Sequence, residues 1–386
     1  MLINHIELNI VITLEKPKKL NLMKKSVFTL LGITLAITLL SYINKPKTAL
    51  TANFVTGDLE VASINALSFG PEGILFLGDS KNATIYALDT KDTKAKGTQL
   101  TTMEDFNSQL AAVLGTTAEQ IKITDMAVNP ISKAIYFSLN SADGTPLLIK
   151  LQDGKFEPVS FKNVSYSEIK LENPVADKKD DRGRDQRVWA ISDLKYNNGK
   201  VLVSGLSNKE FGSTFRSMPF PFTNNQDYAS LEMFHAAHGR YETQSPIKTF
   251  DVVNINKKDY LLASYTCTPL VLFPMDELKG NNHVKGRTIA EIGAGNTPMD
   301  MIAMDKNGKS YVLMANTRHS TVKFDFESIA TTKESLTEKV EGTDGISFEA
   351  LPNMKDVVQL DNLDSENIIY LQKTSDGTFD LKSSAI

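Results

Sequence analysis

The feature that most constrains the fold of this chain is an internal repeat. Each copy has an apolar stretch that alternates with polar residues, a turn, a second apolar stretch, a polar loop and a third strand-like stretch. The first copy, "ALSFGPEGILFLGDSKNATIYALD", begins at Ala66. Further copies begin at Asp125, Asp193, Asp251, Asp300 and Asp356, so the starting points lie 49 to 68 residues apart.

The alternation within each copy has the period of a β-strand, which is two residues, and not the 3.6 residues of a helix. A single copy cannot bury its apolar faces, whereas six copies arranged radially bury each sheet against its neighbours. The sequence therefore predicts an all-β protein with the β-propeller fold. Six blades are favoured and seven are compatible, and a β-sandwich is the alternative. The five aspartates are predicted to occupy matching places on the inner strands.

Two segments lie outside the repeat pattern. The segment "GDLEVAS" at 57–63 precedes the first copy, and the last copy ends after its third strand, so a strand from one terminus is expected to complete the blade at the other. The segment 104–120, "EDFNSQLAAVLGTTAEQ", predicts a short helical insertion outside the blades. Its apolar face would consist of Leu110, Val113 and Leu114.

The start of the chain has the pattern of an export signal. Lys24 and Lys25 precede the apolar run Val27 to Ile43, which is typical of a secretory peptide but is long enough for an uncleaved anchor. We therefore expect an upstream extension over 1–22, a signal peptide or anchor over 23–52 and one propeller domain over 53–386. The expected location is extracytoplasmic, either periplasmic or secreted, with membrane contact only through an uncleaved N-terminal segment.

The amino-acid composition limits which partners and which chemistry can be expected. The single cysteine, Cys267, excludes an internal disulfide, and we expect it to be a buried inert thiol unless His319 or an arginine activates it. The net charge of -4 and the absence of a basic stripe argue against nucleic acid as a partner. A small molecule or a protein is the expected partner.

Candidate site residues follow from the direction of the strands. If every first strand starts on one face, the loops between second and third strands share that face with the loops that enter each blade. Loops on a rigid scaffold often carry function. The predicted ligand-binding residues of this face are Arg216, His235, His238, Arg240, Glu242, Arg318 and His319.

The stretch "EMFHAAHGRYE" at 232–242 contains two histidines three positions apart. On one helical turn, His235 and His238 would share a face and could bind a divalent metal, with His319 as a third ligand and Glu242 as an oxygen donor. Alternatively, these histidines bind loop backbone. Arg240 and its neighbours could bind a carboxylate or sulfate, or pair with nearby glutamates.

The segment 67–89, "LSFGPEGILFLGDSKNATIYALD", resembles blades of the six-bladed group that includes gluconolactonase-like and strictosidine-synthase-like proteins. It also resembles, more loosely, the propellers of quinoprotein amine dehydrogenase beta chains. In the lactonase group, acidic residues and an asparagine around the channel hold calcium, which polarises a lactone or ester. The ligand set of that group does not map onto this sequence by motif, so Asp79, Asn296 and Asp185 are candidates for such ligands by their location alone.

Two functions remain open at this point. The first is an exported propeller that binds a small anionic ligand, a metal or a protein partner at one polar channel mouth. The second is a metal-dependent hydrolase, lactonase or oxidoreductase that uses the same mouth with calcium or a transition metal. No set of catalytic residues can be assembled from the sequence.

Overall fold

The computed structural model describes residues 50–306 and 309–386. The apolar run Val27 to Ile43 and most of the expected signal segment lie outside the described residues. Within the described ranges, no helix has both the length and the apolar character that a membrane span requires.

The described chain is built mainly of short strands. In chain order, the first ten are β1 (Val55–Gly57), β2 (Ala66–Phe69), β3 (Ile74–Asp79), β4 (Thr84–Asp89), β5 (Thr102–Met103), β6 (Ile121–Val128), β7 (Ile135–Ser141), β8 (Pro146–Gln152), β9 (Lys155–Pro158) and β10 (Val164–Lys170). The next ten are β11 (Asp193–Asn197), β12 (Lys200–Leu206), β13 (Ser213–Pro219), β14 (Asp227–His235), β15 (Arg240–Glu242), β16 (Ile247–Ile255), β17 (Lys258–Tyr265), β18 (Pro269–Pro274), β19 (Asn282–Lys285) and β20 (Arg287–Ile292). The last are β21 (Pro298–Lys306), β22 (Lys309–Asn316), β23 (Val322–Asp325), β24 (Thr343–Gly345), β25 (Glu349–Ala350), β26 (Val357–Asn362), β27 (Asn367–Lys373) and β28 (Phe379–Ala385).

Helices are few and short. The α-helices are α1 (Phe106–Val113) and α2 (Phe326–Thr331). Single 3₁₀ turns lie at Pro71–Gly73, Ala118–Gln120, Arg187–Trp189 and Pro352–Met354.

The strands form six sheets, antiparallel except for the parallel pair β14 and β19, which confirms the predicted six-bladed propeller. From the inner strand outward, blade 1 is β2-β3-β4-β10 with β1 beyond it, blade 2 is β6 to β9, and blade 3 is β11 to β14 with β15 and β19 attached to β14. Blade 4 is β16-β17-β18-β20 with β24, blade 5 is β21-β22-β23-β25, and blade 6 is β26-β27-β28-β5. The sequence copies that begin near 66, 125, 193, 251, 300 and 356 each supply one inner strand.

The blades do not follow one another around the ring in chain order. The inner strands are neighbours in the order β11, β16, β21, β26, β6, β2 and back to β11. After blade 2 the chain returns to blade 1, adds β10 to it, and then continues through blades 3 to 6. The expectation that a terminal strand closes the ring is therefore wrong, because the internal strands β5 and β10 complete blades 6 and 1.

A belt of side-chain hydrogen bonds joins the inner strands around the channel. In each pair of neighbouring blades, one side chain accepts the backbone N–H of the next inner strand at 2.6 to 3.1 Å. The pairs are Asp193 with Phe250, Asp251 with Ala303, Asp300 with Leu360, Asp361 with Val128, Asp125 with Leu67, and Ser68 with Tyr196. The aspartates also accept their own following N–H. The belt therefore contains five aspartates and one serine.

The belt corrects the predicted register of the sixth copy. Asp125, Asp193, Asp251 and Asp300 lie on inner strands and take part in the belt, as the repeat predicts. Asp356 precedes β26 with a left-handed backbone conformation (φ 56°), and the equivalent residue is Asp361. The segment "DVVQLD" contains an aspartate at each end, and the repeat pattern selects the first, whereas the structure places the second in the belt.

Burial controls the charge of the belt. It raises the pKa of Asp300 to about 7, and it also raises the pKa values of Asp125, Asp193 and Asp361. Lys195 lies among these carboxylates, with its Nζ 3.2 Å from Asp251 Oδ2. Burial alone would lower the pKa of Lys195, but the surrounding aspartates outweigh burial and raise it. The waist of the channel is therefore polar and acidic, with one ammonium group.

The helical segment is confirmed, but it does not lie outside the blades. Phe106 and Leu110 of α1 are fully buried in the apolar cluster that the side chains of blades 2 and 6 form. The rings of Phe106 and Phe137 have centroids 4.8 Å apart. Val113, which spacing alone places on the apolar face, is 49% exposed. The insertion therefore fills the space where blade 2 meets blade 6.

Candidate metal site

The two histidines of the 232–242 stretch lie in a β-hairpin, His235 at the end of its first strand and His238 in its four-residue turn. His235 ends β14 and is paired with Arg240 of β15. The N–H groups of His238 and Gly239 donate to the His235 carbonyl at 3.0 and 2.8 Å, and Gly239 has the positive φ (66°) that closes the turn. This turn places the two imidazole rings together, with centroids 3.8 Å apart.

One carboxylate holds both imidazoles. Glu242 accepts from Nδ1 of His235 at 3.0 Å and from Nδ1 of His238 at 2.7 Å. It also accepts from Ser245 Oγ at 2.6 Å and from Arg240 Nε at 3.2 Å. Burial opposes ionisation of Glu242, but these hydrogen bonds outweigh it and hold its pKa well below the usual range. An ionised carboxylate can only accept, so Nδ1 of each ring carries a proton and Nε2 of each neutral ring keeps its lone pair.

The third residue that the structure brings to this pair is Cys267. One ring nitrogen of each histidine and the Sγ of Cys267 all lie within 4.8 Å of one another. Nε2 of His235 is buried and has no hydrogen-bond partner among the described residues. Within the described ranges, this is the only cluster of three or more His, Cys, Asp or Glu side chains with such spacing.

The backbone at Cys267 is in an unfavourable conformation. Cys267 and Thr268 both have positive φ angles, 65° and 62°, in the turn that joins β17 to β18. Non-glycine residues in this region of conformational space carry a cost and cluster at functional sites. The thiol is half-buried. The expectation that the Cys267 thiol is buried is therefore wrong. The neighbours of this thiol include two imidazoles.

Glu291 connects the histidine turn to the cysteine turn. Its side chain is fully buried, with Oε2 accepting from Ala237 N at 3.2 Å and Oε1 within 3.5 Å of Thr268 Oγ1. Burial raises the pKa of this carboxyl group. Glu291 thus fixes the relative position of the two turns, one from the end of blade 3 and one from blade 4. Nothing in the sequence around Glu291 signals this role.

A cavity of about 610 Å³ opens beside the cluster. His238, Arg240 and Glu242 line one side of it, and Thr266, which precedes Cys267, also lines it. The opposite side comes from the segment before β11, with Arg184 and Trp189. Of the two imidazoles, that of His235 is buried, whereas the side chain of His238 is 43% exposed. The cavity therefore gives access to the cluster from the His238 side.

The remaining predicted ligand-binding residues have partners of their own. Arg216 lies within β13 and is buried, with Nη1 donating to Thr214 Oγ1 at 2.9 Å. It therefore lies inside blade 3 and not in a loop. Arg318 Nε donates to the Gly295 carbonyl at 3.1 Å. His319 Nε2 lies 3.1 Å from the Ile292 carbonyl, and His319 is absent from the cluster.

The calcium ligands that the family resemblance implied do not form a cluster. Asp79 is buried and accepts from Ser63 Oγ at 2.7 Å and from Ala62 N at 2.8 Å, so it holds a turn of blade 1. The side chain of Asn296, in the loop before blade 5, is also buried. Its Nδ2 donates to the Ile292 carbonyl and its Oδ1 accepts from Arg318 N. Asp185 accepts from Arg187 N at 2.9 Å and lines the cavity beside the histidines.

Comparison with known proteins adds little beyond this geometry. No family model matches the chain, and no curated protein matches it. Among solved structures, the PQQ-bound aldose sugar dehydrogenase of Streptomyces coelicolor is 12% identical, with a TM-score of 0.29, over 86% of this chain and 99% of that one. A protein assigned as a glucose dehydrogenase from Thermus thermophilus is 9% identical, with a TM-score of 0.32, over 86% of this chain and 100% of that one.

A chain of a mitotic checkpoint complex is 8% identical, with a TM-score of 0.33, over 89% of this chain and 95% of that one. These similarities are too low to carry an argument about chemistry. The assignment of the propeller fold rests on the six sheets of this chain, and the function must be argued from its own side chains.

Proposed function

We propose that the protein is an exported β-propeller that binds one transition-metal ion through His235, His238 and Cys267 and presents it to a small anionic ligand. The observation that carries this proposal is the cluster of these three side chains, together with the buried Nε2 of His235, which lacks a partner among the described residues. Buried polar atoms normally have partners, so such an atom requires an explanation. A bound metal ion supplies one.

The surroundings of the imidazoles support a metal in particular. Metal-binding histidines usually donate their second ring N–H to a carboxylate, which fixes the tautomer and the ring orientation. Glu242 does this for both rings at once. The site therefore has the hydrogen-bonded shell of a metal centre, in addition to the three ligand atoms.

The donor set indicates the class of metal. Two imidazole nitrogens and one thiolate suit zinc or copper, whereas calcium and magnesium prefer oxygen ligands. Three protein ligands leave one position of a tetrahedral ion for another molecule. The guanidinium groups of Arg240 and Arg184 line the cavity beside His238 but are already paired with Glu242 and Asp180, so an anionic ligand would be attracted mainly by the metal ion itself.

Metal analysis tests the proposal directly. The full chain, purified without a tag, is incubated with Zn²⁺ and dialysed, and bound zinc is measured per chain. We expect one equivalent in the parent protein, at least about a tenfold loss of affinity in Cys267→Ser, and no change in His319→Ala. Cys267→Ser preserves the size of the side chain, and His319→Ala is the matched control. Zinc below half an equivalent in the parent, or equal affinity in Cys267→Ser, would refute the site.

Export is part of the proposal and has its own measurement. Mass spectrometry of the protein recovered outside the cytoplasm should show an N-terminus near Asn53, after removal of the segment that contains Lys24, Lys25 and the apolar run. A soluble product that retains residues 1–40 would contradict it.

A second candidate is a metal-dependent hydrolase at the same site. The observation that favours it is the access from the cavity to a metal with three protein ligands, which is the arrangement of catalytic zinc sites. Hydrolysis of p-nitrophenyl acetate by the zinc-loaded protein, measured against Cys267→Ser, tests it. Equal rates for the two proteins would leave binding as the function.

A further inference from the structure

A second cavity of about 610 Å³ occupies the channel mouth at which the inner strands begin. It differs from the cavity beside His238, although Trp189 lines both. Its walls are largely apolar and include Ile121, Ile123, Met299 and Val358. A concave apolar cavity of this size with a few polar groups is the usual form of a small-molecule site.

The charged residues that line this cavity are all positive. Lys122 and Lys248 are its only charged lining residues, and no aspartate or glutamate lines it. In the described part of the chain, neither ammonium lies within ion-pair distance of a carboxylate. The whole chain carries a formal charge of -4, so a cationic mouth is a local feature. It favours the binding of a negatively charged group.

The belt of aspartates limits how deep that group can lie. Thr124, Ser192 and Met299 line the mouth, and each is followed directly in the sequence by an aspartate of the belt. Lys195, the ammonium group of the waist, is already paired with Asp251, so among the described residues a negative group finds its unpaired cations at the mouth, in Lys122 and Lys248. An apolar body can still fill the space above the belt. The Asn140 amide, whose Oδ1 is buried without a partner among the described residues, also lines the cavity and can bind a polar atom of the ligand.

We propose that this mouth binds an amphipathic organic acid, with its apolar body against Ile123, Met299 and Val358 and its carboxylate near Lys122 and Lys248. The site requires no metal and does not involve His235, His238 or Cys267. It is therefore independent of the function proposed above.

The single tryptophan of the chain is a built-in probe, because Trp189 lines this cavity. The full chain is titrated with decanoate in the presence of EDTA, and tryptophan emission is recorded. Decyltrimethylammonium, which has the same apolar chain and the opposite charge, is the matched probe. We expect a saturable change with decanoate and an affinity at least about tenfold lower for decyltrimethylammonium. No saturable change with decanoate, or equal affinities for the two probes, would overturn the proposal.

Variants decide which cavity holds the acid. Lys248→Glu and Lys122→Glu should each weaken decanoate binding at least about fivefold, and Lys200→Glu, an exposed lysine at the start of β12, is the control with the same change of charge. Arg240→Glu should leave decanoate binding unchanged, because Arg240 lines only the other cavity. If Arg240→Glu weakens binding and both lysine variants leave it intact, the acid lies beside His238 and the proposal fails. Melting curves confirm that each variant is folded.

Discussion

Removal of one aspartate from the belt tests whether these hydrogen bonds hold the propeller together. Asp361 joins blade 6 to blade 2, which are neighbours in space but not in sequence. Its Oδ2 accepts from Val128 N and its Oδ1 from Asn362 N, both at 2.7 Å. Asp361→Ala therefore leaves two backbone N–H groups without their acceptors at the waist of the channel.

The expected loss of unfolding free energy follows from the type of hydrogen bond that Asp361→Ala removes. A hydrogen bond to a charged group contributes about 1.5 to 3 kcal/mol, so two such bonds give an upper value of about 6 kcal/mol. Burial raises the pKa of Asp361, which shows that desolvation of the carboxylate offsets part of this gain. Water in the channel can also reach the exposed N–H groups. We therefore expect Asp361→Ala to lower the free energy of unfolding by about 3 kcal/mol.

Ser68→Ala provides the matched comparison, because Ser68 occupies the sixth place of the belt. It accepts a single hydrogen bond, from Tyr196 N at 3.1 Å, and is uncharged. Its loss should cost about 1 kcal/mol. Urea unfolding followed by circular dichroism measures both variants, and unchanged m-values would show that the same surface unfolds. The reasoning is refuted if Asp361→Ala costs no more than Ser68→Ala.

The remaining predictions concern the metal site, the charge of the belt and the helix. Glu242→Gln keeps only one acceptor oxygen for two imidazoles, so zinc affinity should fall about 10- to 100-fold, and the metal-free protein should also melt at a lower temperature because the carboxylate loses hydrogen bonds. Because burial raises the pKa of Asp300 from its ordinary value of 3.8 to about 7, the neutral form stabilises the fold at low pH, and this stabilisation is lost as pH rises from about 4 to about 7. The melting temperature should fall over that range, and the fall should be smaller in Asp300→Asn. Phe106→Ala should cost about 3 to 5 kcal/mol in urea unfolding, whereas Val113→Ala should stay within about 0.5 kcal/mol.

The sequence is sufficient to predict the class of fold because the apolar alternation recurs six times. The sequence does not, however, predict the order of the blades around the ring. Strand β5 consists of Thr102 and Met103 only, and nothing in two residues predicts that they complete blade 6. In sequence, this strand simply lies between the first two copies of the repeat. Ring order depends on contacts between distant segments, and such contacts leave no periodic signal in the chain.

The helix shows a similar limit at the level of single residues. Its position is predictable from its composition, but the predicted apolar face includes Val113, which faces solvent, and omits Phe106, which is buried. An assignment of faces from spacing alone assumes one packing surface. Here the helix inserts between two blades at its N-terminal end, so the position of the first turn decides what is buried.

Cys267, the proposed third metal ligand, illustrates why proximity in a propeller follows the order of the blades and not the type of residue. The hairpin with His235 and His238 leads from blade 3 into blade 4, and Cys267 lies in the next loop of blade 4 on the same face. His319 has the chemically more obvious side chain, but it belongs to blade 5, one blade further around the ring, and binds the Ile292 carbonyl. Glu291 of blade 4 then ties the histidine and cysteine turns together. A site at the junction of two neighbouring blades is therefore expected to take its ligands from those two blades, and a search for ligands should weigh blade adjacency before residue type.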